Sequence, residues 1–129
     1  MQIATKGDFT MTTFTKTLQN RRSIYDLGHN VTLSNEELTA LIKEAIKESP
    51  TAFNAQSTRA VILFGDAHEK LWEMTEEALR PLTPAEAFPN TQNKLAGFKK
   101  GYGTVLFFKD TDIIKNLQEQ FTLYADNFP

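Results

Sequence analysis

The sequence contains no cysteine and only one tryptophan among its 129 residues. Without cysteine the chain forms no disulfide, offers no thiolate nucleophile and holds no thiolate-bound metal or iron–sulfur cluster. Small secreted domains that depend on disulfides are thereby excluded, and we expect a cytoplasmic protein. A hydrophobic content of 40% is enough for one globular domain and hardly enough for two in a chain of this length.

The chain also lacks a strong net charge and a long apolar run. Its Lys and Arg residues number 14 against 16 Asp and Glu, so the net charge is -2 and nucleic acid is a poor candidate partner. The longest apolar runs, Ala60–Phe64 and Thr104–Phe108, have the length of strands and fall well short of a bilayer span. The N-terminus lacks the charged-then-apolar pattern of a signal peptide, so we expect a soluble protein without a membrane segment.

The strongest local signal in the sequence is a helix between Ser34 and Glu48. Ser34 and Glu37 form a capping box, and apolar residues follow at helical spacing, namely Leu38, Leu41, Ile42, Ala45 and Ile46. Pro50 ends this helix. The polar stretch Thr51–Thr58 has no periodicity, so we interpret it as a loop.

Two strands and four further helices are predicted in the rest of the chain. Because Ala60–Phe64 and Thr104–Phe108 are continuous apolar runs, we expect strands that are buried on both faces. Amphipathic or capped segments predict the other helices, which span about Met11 to Arg22, Ala67 to Arg80, Asn90 to Lys100 and Asp110 to Phe121.

The intervening segments complete the predicted organisation. Pro81, Pro84 and Pro89 predict a linker-like loop around Phe88, and the residues after Leu123 suggest no regular element. The order helix, helix, strand, helix, helix, strand, helix indicates a mixed α/β layer architecture. We expect one domain over residues 11–129, with residues 1–10 as an extension or cloning remnant.

Arg21, Arg22 and Ser23 form the first candidate binding motif. Two fork-shaped cationic donors beside a hydroxyl, at the end of a helix, are able to hold a phosphate or the polar edge of a flavin. The alternative is a solvated pair of arginines, which is the commoner role of such residues on a protein surface.

The loop from Ser49 to Ser57 is the second candidate motif. Asn54 and Gln56 place two amides between a capped helix and a strand, and each amide carries both a donor and an acceptor. This chemistry suits the isoalloxazine ring, which presents carbonyl acceptors and an N–H donor. The alternative is a polar connection whose amides bind only loop backbone.

Other motifs carry little chemistry. Neither His29 nor His68 has a partner at a metal-binding spacing, and we expect His68, near the start of a helix, to be exposed. Gly101-Tyr102-Gly103 precedes a strand, which is the wrong context for a phosphate-binding loop. No hydrolase elbow, P-loop or carboxylate pair is present, so the sequence predicts neither a catalytic side chain nor a metal site.

Four segments in this order resemble the nitroreductase family over about Met11 to Pro129. They are the Arg21–Tyr25 motif, the Ser49–Gln56 loop, the Gly101–Phe108 strand and the closing phrase Leu123–Pro129. The resemblance implies an α+β sandwich, with a central sheet flanked by helices, in which two protomers form a homodimer and hold FMN between them. It further implies that the C-terminal part of the domain, which ends in a basic segment, is missing from this chain.

The resemblance also assigns roles to individual residues. It implies that Arg21, Arg22 and Ser23 contact the phosphate and ring edge of FMN, and that the loop residues Pro50, Thr51, Asn54 and Gln56 reach the FMN of the other subunit. Ala52 departs from the family pattern because it has no hydroxyl. A further contact from Thr91–Lys94 is expected. The implied activity passes hydride from NADH or NADPH through the flavin to a small-molecule acceptor, a nitroaromatic or quinone.

Two other interpretations stay open at this point. The chain could be a truncated, non-enzymatic module that does not hold FMN. Nucleic-acid binding is the third interpretation, through four cationic residues, Arg21, Arg22, Lys99 and Lys100, although the negative net charge argues against it.

Overall fold

The computed structural model describes residues 13–128, so the interpretation of residues 1–10 and the predicted helix start at Met11 lie outside the described residues. Within that range the chain forms seven regular elements: α1 (Thr13–Asn20), α2 (Asn35–Glu48), β1 (Thr58–Phe64), α3 (Gly65–Leu79), α4 (Phe88–Lys99), β2 (Gly103–Lys109) and α5 (Thr111–Gln120). Short 3₁₀ turns lie at Ala52–Asn54, Arg80–Leu82 and Thr122–Asn127. The architecture is α+β.

The sheet consists of β1 and β2, which pair antiparallel. Phe64 lies opposite Gly103 at one end, and Thr58 lies opposite Lys109 at the other. A Cβ atom on Gly103 would come within 2.8 Å of the Leu63 carbonyl oxygen, so the close approach of the two strands requires glycine at this position. The pairing fixes which strand residues lie beside the candidate loop.

The capping box predicted for α2 is confirmed. The Glu37 backbone N–H donates to the Ser34 hydroxyl at 3.2 Å, and the Ser34 backbone N–H donates to the Glu37 carboxylate at 2.8 Å. These two bonds satisfy N–H groups that the first turn of a helix otherwise leaves without partners. The helix thus begins where the sequence indicates, and Pro50 follows shortly after its last residue, Glu48.

The prediction of a loop around Phe88 is wrong. Phe88 is the first residue of α4 and lies in the core at 8% exposure, with Leu95 at 7%. Pro89 is tolerated because a helix's first turn needs no donor from that backbone nitrogen. The Arg80 guanidinium lies 4.4 Å from the Phe88 ring centroid and covers its outer face.

The prediction that both strands are buried on both faces is also wrong. Residues at the Gly103 end are half-buried, but Leu106, Phe107 and Phe108 are 44%, 58% and 50% exposed. An apolar run indicates that a segment favours burial. How many of its faces are buried depends on which other parts of the chain pack against it. Within residues 13–128 those layers cover mainly the Gly103 end.

The end of the chain is more ordered than the sequence predicts. Residues Thr122–Asn127 form a 3₁₀ turn, and Phe128 is buried at 3% exposure. The Gln118 side chain donates to the carbonyls of Ala125 at 3.3 Å and Phe128 at 3.0 Å, which fastens this segment to α5. Secondary-structure propensity alone could not predict this order, because the hydrogen bonds that hold the segment come from a side chain of the preceding helix, α5.

Candidate functional site

The loop between α2 and β1 has an unusual backbone. Phe53, Asn54 and Gln56 have φ values of 52°, 52° and 50°, in the left-handed region that residues other than glycine seldom adopt. Asparagine tolerates this conformation, but a bulky phenylalanine does not adopt it readily. Strained backbone of this kind persists where surrounding contacts enforce it, and it is concentrated at binding sites.

Hydrogen bonds inside the loop organise its two amides. The Gln56 backbone N–H donates to the Thr51 hydroxyl at 3.1 Å, and Gln56 Nε2 donates to Asn54 Oδ1 at 3.1 Å. Asn54 Nδ2 and Gln56 Oε1 make no hydrogen bond within residues 13–128, and both side chains are exposed. The paired amides therefore leave the NH₂ group of Asn54 free to donate and the carbonyl oxygen of Gln56 free to accept.

A surface pocket of about 240 Å³ lies against this loop. It is lined by Ile46, Lys47, Ser49, Pro50, Thr51, Asn54, Gln56 and Thr58, a set that includes all four loop residues assigned by the resemblance. The walls are mixed, with apolar groups from α2 beside the polar groups of the loop. Such a site can accept a ring with a hydrogen-bonding edge.

Arg59 braces the loop from the strand side, and the sequence motifs did not point to it. Its guanidinium donates to the Gln56 carbonyl at 3.0 Å and forms an ion pair with Asp110 at 3.0 Å. The Asp110 backbone N–H in turn donates to the Ser57 carbonyl at 2.8 Å. No local pattern could identify this brace, because Arg59 and Asp110 are 51 positions apart.

The Arg21–Ser23 motif lies just after α1. Arg22 Nη1 donates to the carbonyls of Gln19 and of Arg21, so this side chain closes the end of its own helix. Both arginines and Ser23 are exposed. The alternative interpretation, in which Arg22 binds no ligand, thus accounts for its Nη1 atom. The other guanidinium nitrogens of Arg22 make no hydrogen bond within residues 13–128.

The two candidate motifs are not joined in the protomer. No hydrogen bond or ion pair links residues 21–23 to residues 50–56 in the described part of the chain. The resemblance assigns the loop to the FMN of the other subunit. That the two motifs grip a single ligand stays a prediction.

His68 is not exposed, contrary to the sequence prediction. It is 1% exposed, with Nε2 3.0 Å from the Lys99 carbonyl and Nδ1 2.8 Å from the Thr104 hydroxyl. A carbonyl can only accept, so Nε2 donates to it and Nδ1 accepts from Thr104 in the neutral ring. Thr104 also accepts the Trp72 indole N–H at 3.0 Å. This network is saturated, which indicates a structural role.

Lys99, one of the cations considered for nucleic acid, is held by carboxylates. Its ammonium lies 2.7 Å from Glu73 and 4.0 Å from Glu69. The hydrogen bond to Glu73 raises the pKa of Lys99, and the same bond with Lys99 lowers the pKa of Glu73. A lysine already neutralised by two acids is a weak phosphate contact, and this weakens the nucleic-acid interpretation.

The described residues bring no three His, Cys, Asp or Glu side chains together as a metal site. None of the helices in residues 13–128 has the length and apolarity needed to cross a bilayer.

Comparison with known proteins shows which family this chain resembles. The Nitroreductase family model matches residues 18–128. Nitroreductase FRM2 of Saccharomyces cerevisiae is 33% identical over 114 residues, which are 87% of this chain and 56% of FRM2. The nitroreductase CinD of Lactococcus lactis, solved with chloramphenicol, is 51% identical with a TM-score of 0.73, over 90% of this chain and 58% of CinD.

A more distant structure shows the same fold. A protein of Exiguobacterium sibiricum 255-15, solved in complex with FMN, is 23% identical with a TM-score of 0.50, over 92% of this chain and 49% of that one. The chain spans 49% to 58% of the length of the relatives named above. The match of the family model to nearly all of its residues establishes that the chain belongs to the nitroreductase family.

Proposed function

We propose that residues 11–129 form the N-terminal portion of an FMN-dependent oxidoreductase domain. The observation that carries this proposal is the braced loop at Pro50–Gln56, in which a left-handed backbone holds two amides with a free donor and a free acceptor. Family membership supplies the reaction class, since nitroreductases are oxidoreductases.

The donor set of the chain fits FMN. Arg21, Arg22 and Ser23 would hold the phosphate and one ring edge, because guanidinium and hydroxyl groups are strong phosphate ligands. Pro50 and Thr51 would shape the loop, and the free amide groups of Asn54 and Gln56 would bind the carbonyl and N–H groups of the ring. A second protomer would bring the two motifs to one FMN, so a homodimer is part of the proposal.

The residues of this chain bind and orient, and none of them acts as an acid, base or nucleophile in this proposal. Bound FMN supplies the hydride transfer between NADH or NADPH and the acceptor. The amides of Asn54 and Gln56 would orient the ring, and Ile46 of α2 would cover part of it from water. The acceptor class is a nitroaromatic or quinone, and the solved CinD complex with chloramphenicol supports it. The proposed location is the cytoplasm, with no nucleic-acid or membrane partner.

Flavin titration of the purified chain tests the proposal. We expect FMN to bind, and Arg22→Ala and Asn54→Ala each to weaken binding by about tenfold or more, since each removes a direct polar contact. Matched controls are Lys16→Ala, which removes a cation from α1, and Asn116→Ala, which removes an exposed amide from α5. Both controls should bind FMN normally.

The opposite result has a definite meaning. A folded, dimeric chain that does not bind FMN at saturating concentration would contradict the proposal and favour the non-enzymatic module. Exposed apolar residues at Leu106–Phe108 are the observation that favours such a module, because a surface of this kind is typical of association.

A further inference from the structure

Phe53 is the residue of the candidate loop that contacts the end of the chain. Its ring centroid lies 5.0 Å from that of Phe121, 5.8 Å from that of Tyr124 and 5.2 Å from that of Phe128. Tilted rings at these distances attract one another beyond the area they bury. The four rings, here called the aromatic cluster, connect the loop to the segment that follows α5.

The far side of the aromatic cluster is firmly held. Phe128 is 3% exposed, and its carbonyl accepts a hydrogen bond from the Gln118 side chain at 3.0 Å. The backbone N–H of Tyr124 donates to the Phe121 carbonyl at 2.8 Å, which keeps these two rings in a fixed turn. The Phe53 ring therefore packs against a segment that is hydrogen-bonded to α5 and includes the buried Phe128.

This packing explains the strained backbone. Phe53 has φ of 52°, a conformation that a free phenylalanine would leave, and the ring contacts oppose that relaxation. Asn54 follows it directly with the same sign of φ, and Asn54 Oδ1 accepts the hydrogen bond that orders Gln56. The orientation of both amides thus depends on where the Phe53 ring is held.

We propose that Phe53 is a positioning residue, and that the aromatic cluster sets the amides of Asn54 and Gln56 in the geometry that binds the flavin ring. The segment Phe121–Phe128 then influences cofactor binding through the ring of Phe53. This inference rests on the proposed function, because it needs FMN to bind at the loop.

Three measurements on the full chain test the inference together: FMN affinity, the visible absorption spectrum of the bound flavin, and urea unfolding. Phe53→Ala should weaken FMN binding by about tenfold and shift the bound-flavin spectrum, since the ring edge loses its oriented partners. Phe53→Tyr should restore both, because the ring is kept. Leu123→Ala, which removes an 85% exposed side chain from the same turn as Tyr124, is the control and should change neither readout.

Phe53→Gly separates the ring from the backbone. Glycine adopts positive φ without strain, so this variant should be more stable than Phe53→Ala, yet its FMN binding should remain weak. Recovery of FMN affinity in Phe53→Gly would overturn the inference, because backbone conformation alone would then suffice.

Tyr124→Ala tests the cluster from the other side and keeps the inference falsifiable if the Phe53 variants fold poorly. It should weaken FMN binding, and adding Phe53→Ala should have less than a multiplicative effect, since both act through one contact. If the unmodified chain binds no FMN, the proposed function fails and this inference with it. If the unmodified chain binds FMN and Phe53→Ala and Tyr124→Ala match it in affinity and spectrum, only this inference fails.

Discussion

The two ends of the β1–β2 sheet differ in what covers them. At the closed end, where Phe64 pairs with Gly103, the strand residues are half-buried and the His68–Thr104–Trp72 network lies against β2. At the open end, where Thr58 pairs with Lys109, the strand residues are exposed, and the candidate loop leads directly into β1.

Because of this difference, the closed end is suited to stabilising the fold and the open end is suited to binding. At the closed end a buried histidine has both ring nitrogens satisfied, so the packing there specifies one arrangement. At the open end, apolar residues and free amide groups remain accessible, which leaves room for a ligand or a second protomer. The loop residues of the functional proposal lie at this open end.

Replacing His68 at the closed end should have the largest effect on folding. His68→Ala leaves a cavity and removes the donor to the Lys99 carbonyl and the acceptor of the Thr104 hydroxyl proton, so we expect a loss of about 3 kcal/mol in the free energy of unfolding. Urea denaturation measures it. His29→Ala, at the exposed histidine, is the control and should cost less than about 1 kcal/mol. Equal losses for the two variants would show that the closed end is not specially stabilised.

Replacing Phe107 at the open end should have a smaller effect. This side chain is 58% exposed in the protomer, so Phe107→Ser should lower the free energy of unfolding by only about 1 kcal/mol. Urea denaturation of Phe107→Ser and of the unmodified chain, at low and at high protein concentration, tests whether the open end is exposed in solution. A loss of about 3 kcal/mol or more that grows with concentration would mean that the open end is covered by another copy of the chain.

The ion pair between Glu73 and Lys99, on the outer side of the closed end, should have the smallest effect. Glu73→Gln should lower stability slightly at pH 7, and the difference should shrink in high salt because Glu73 is exposed and Lys99 is partly exposed. Glu77→Gln, on the same helix, is the matched control for the loss of one negative charge.

The pH dependence of that small effect has a definite sign. The pKa of Glu73 is lowered from 4.5, so its contribution is present above pH 4.5 and is lost as the pH falls through the lower folded value. The pKa of Lys99 is raised from 10.5, so its contribution is present below pH 10.5 and is lost as the pH rises through the higher folded value. Unfolding curves of Glu73→Gln and the unmodified chain should therefore converge in acid. A difference that persists at pH 2 would contradict this account.

Sequence reasoning was most successful where the signal is local. The capping box at Ser34 and Glu37 was predicted correctly because its two bonds connect residues three positions apart. The strands were located correctly from their apolar runs, while their burial was not. The candidate loop was located from Pro50 and the two amides, although its left-handed backbone at Phe53 has no signature in residue type.

The amino-acid sequence by itself determined the helices, the strands, the family motifs and the absence of thiol chemistry, because these depend on residue type and on short spacings. Only the tertiary structure decided that His68 is buried, that Arg59 braces the loop and that Phe53 packs on the chain's final segment. Each of these arrangements includes a contact between residues more than 30 positions apart. Such contacts form only after the helices and the sheet have packed, so no local pattern encodes them.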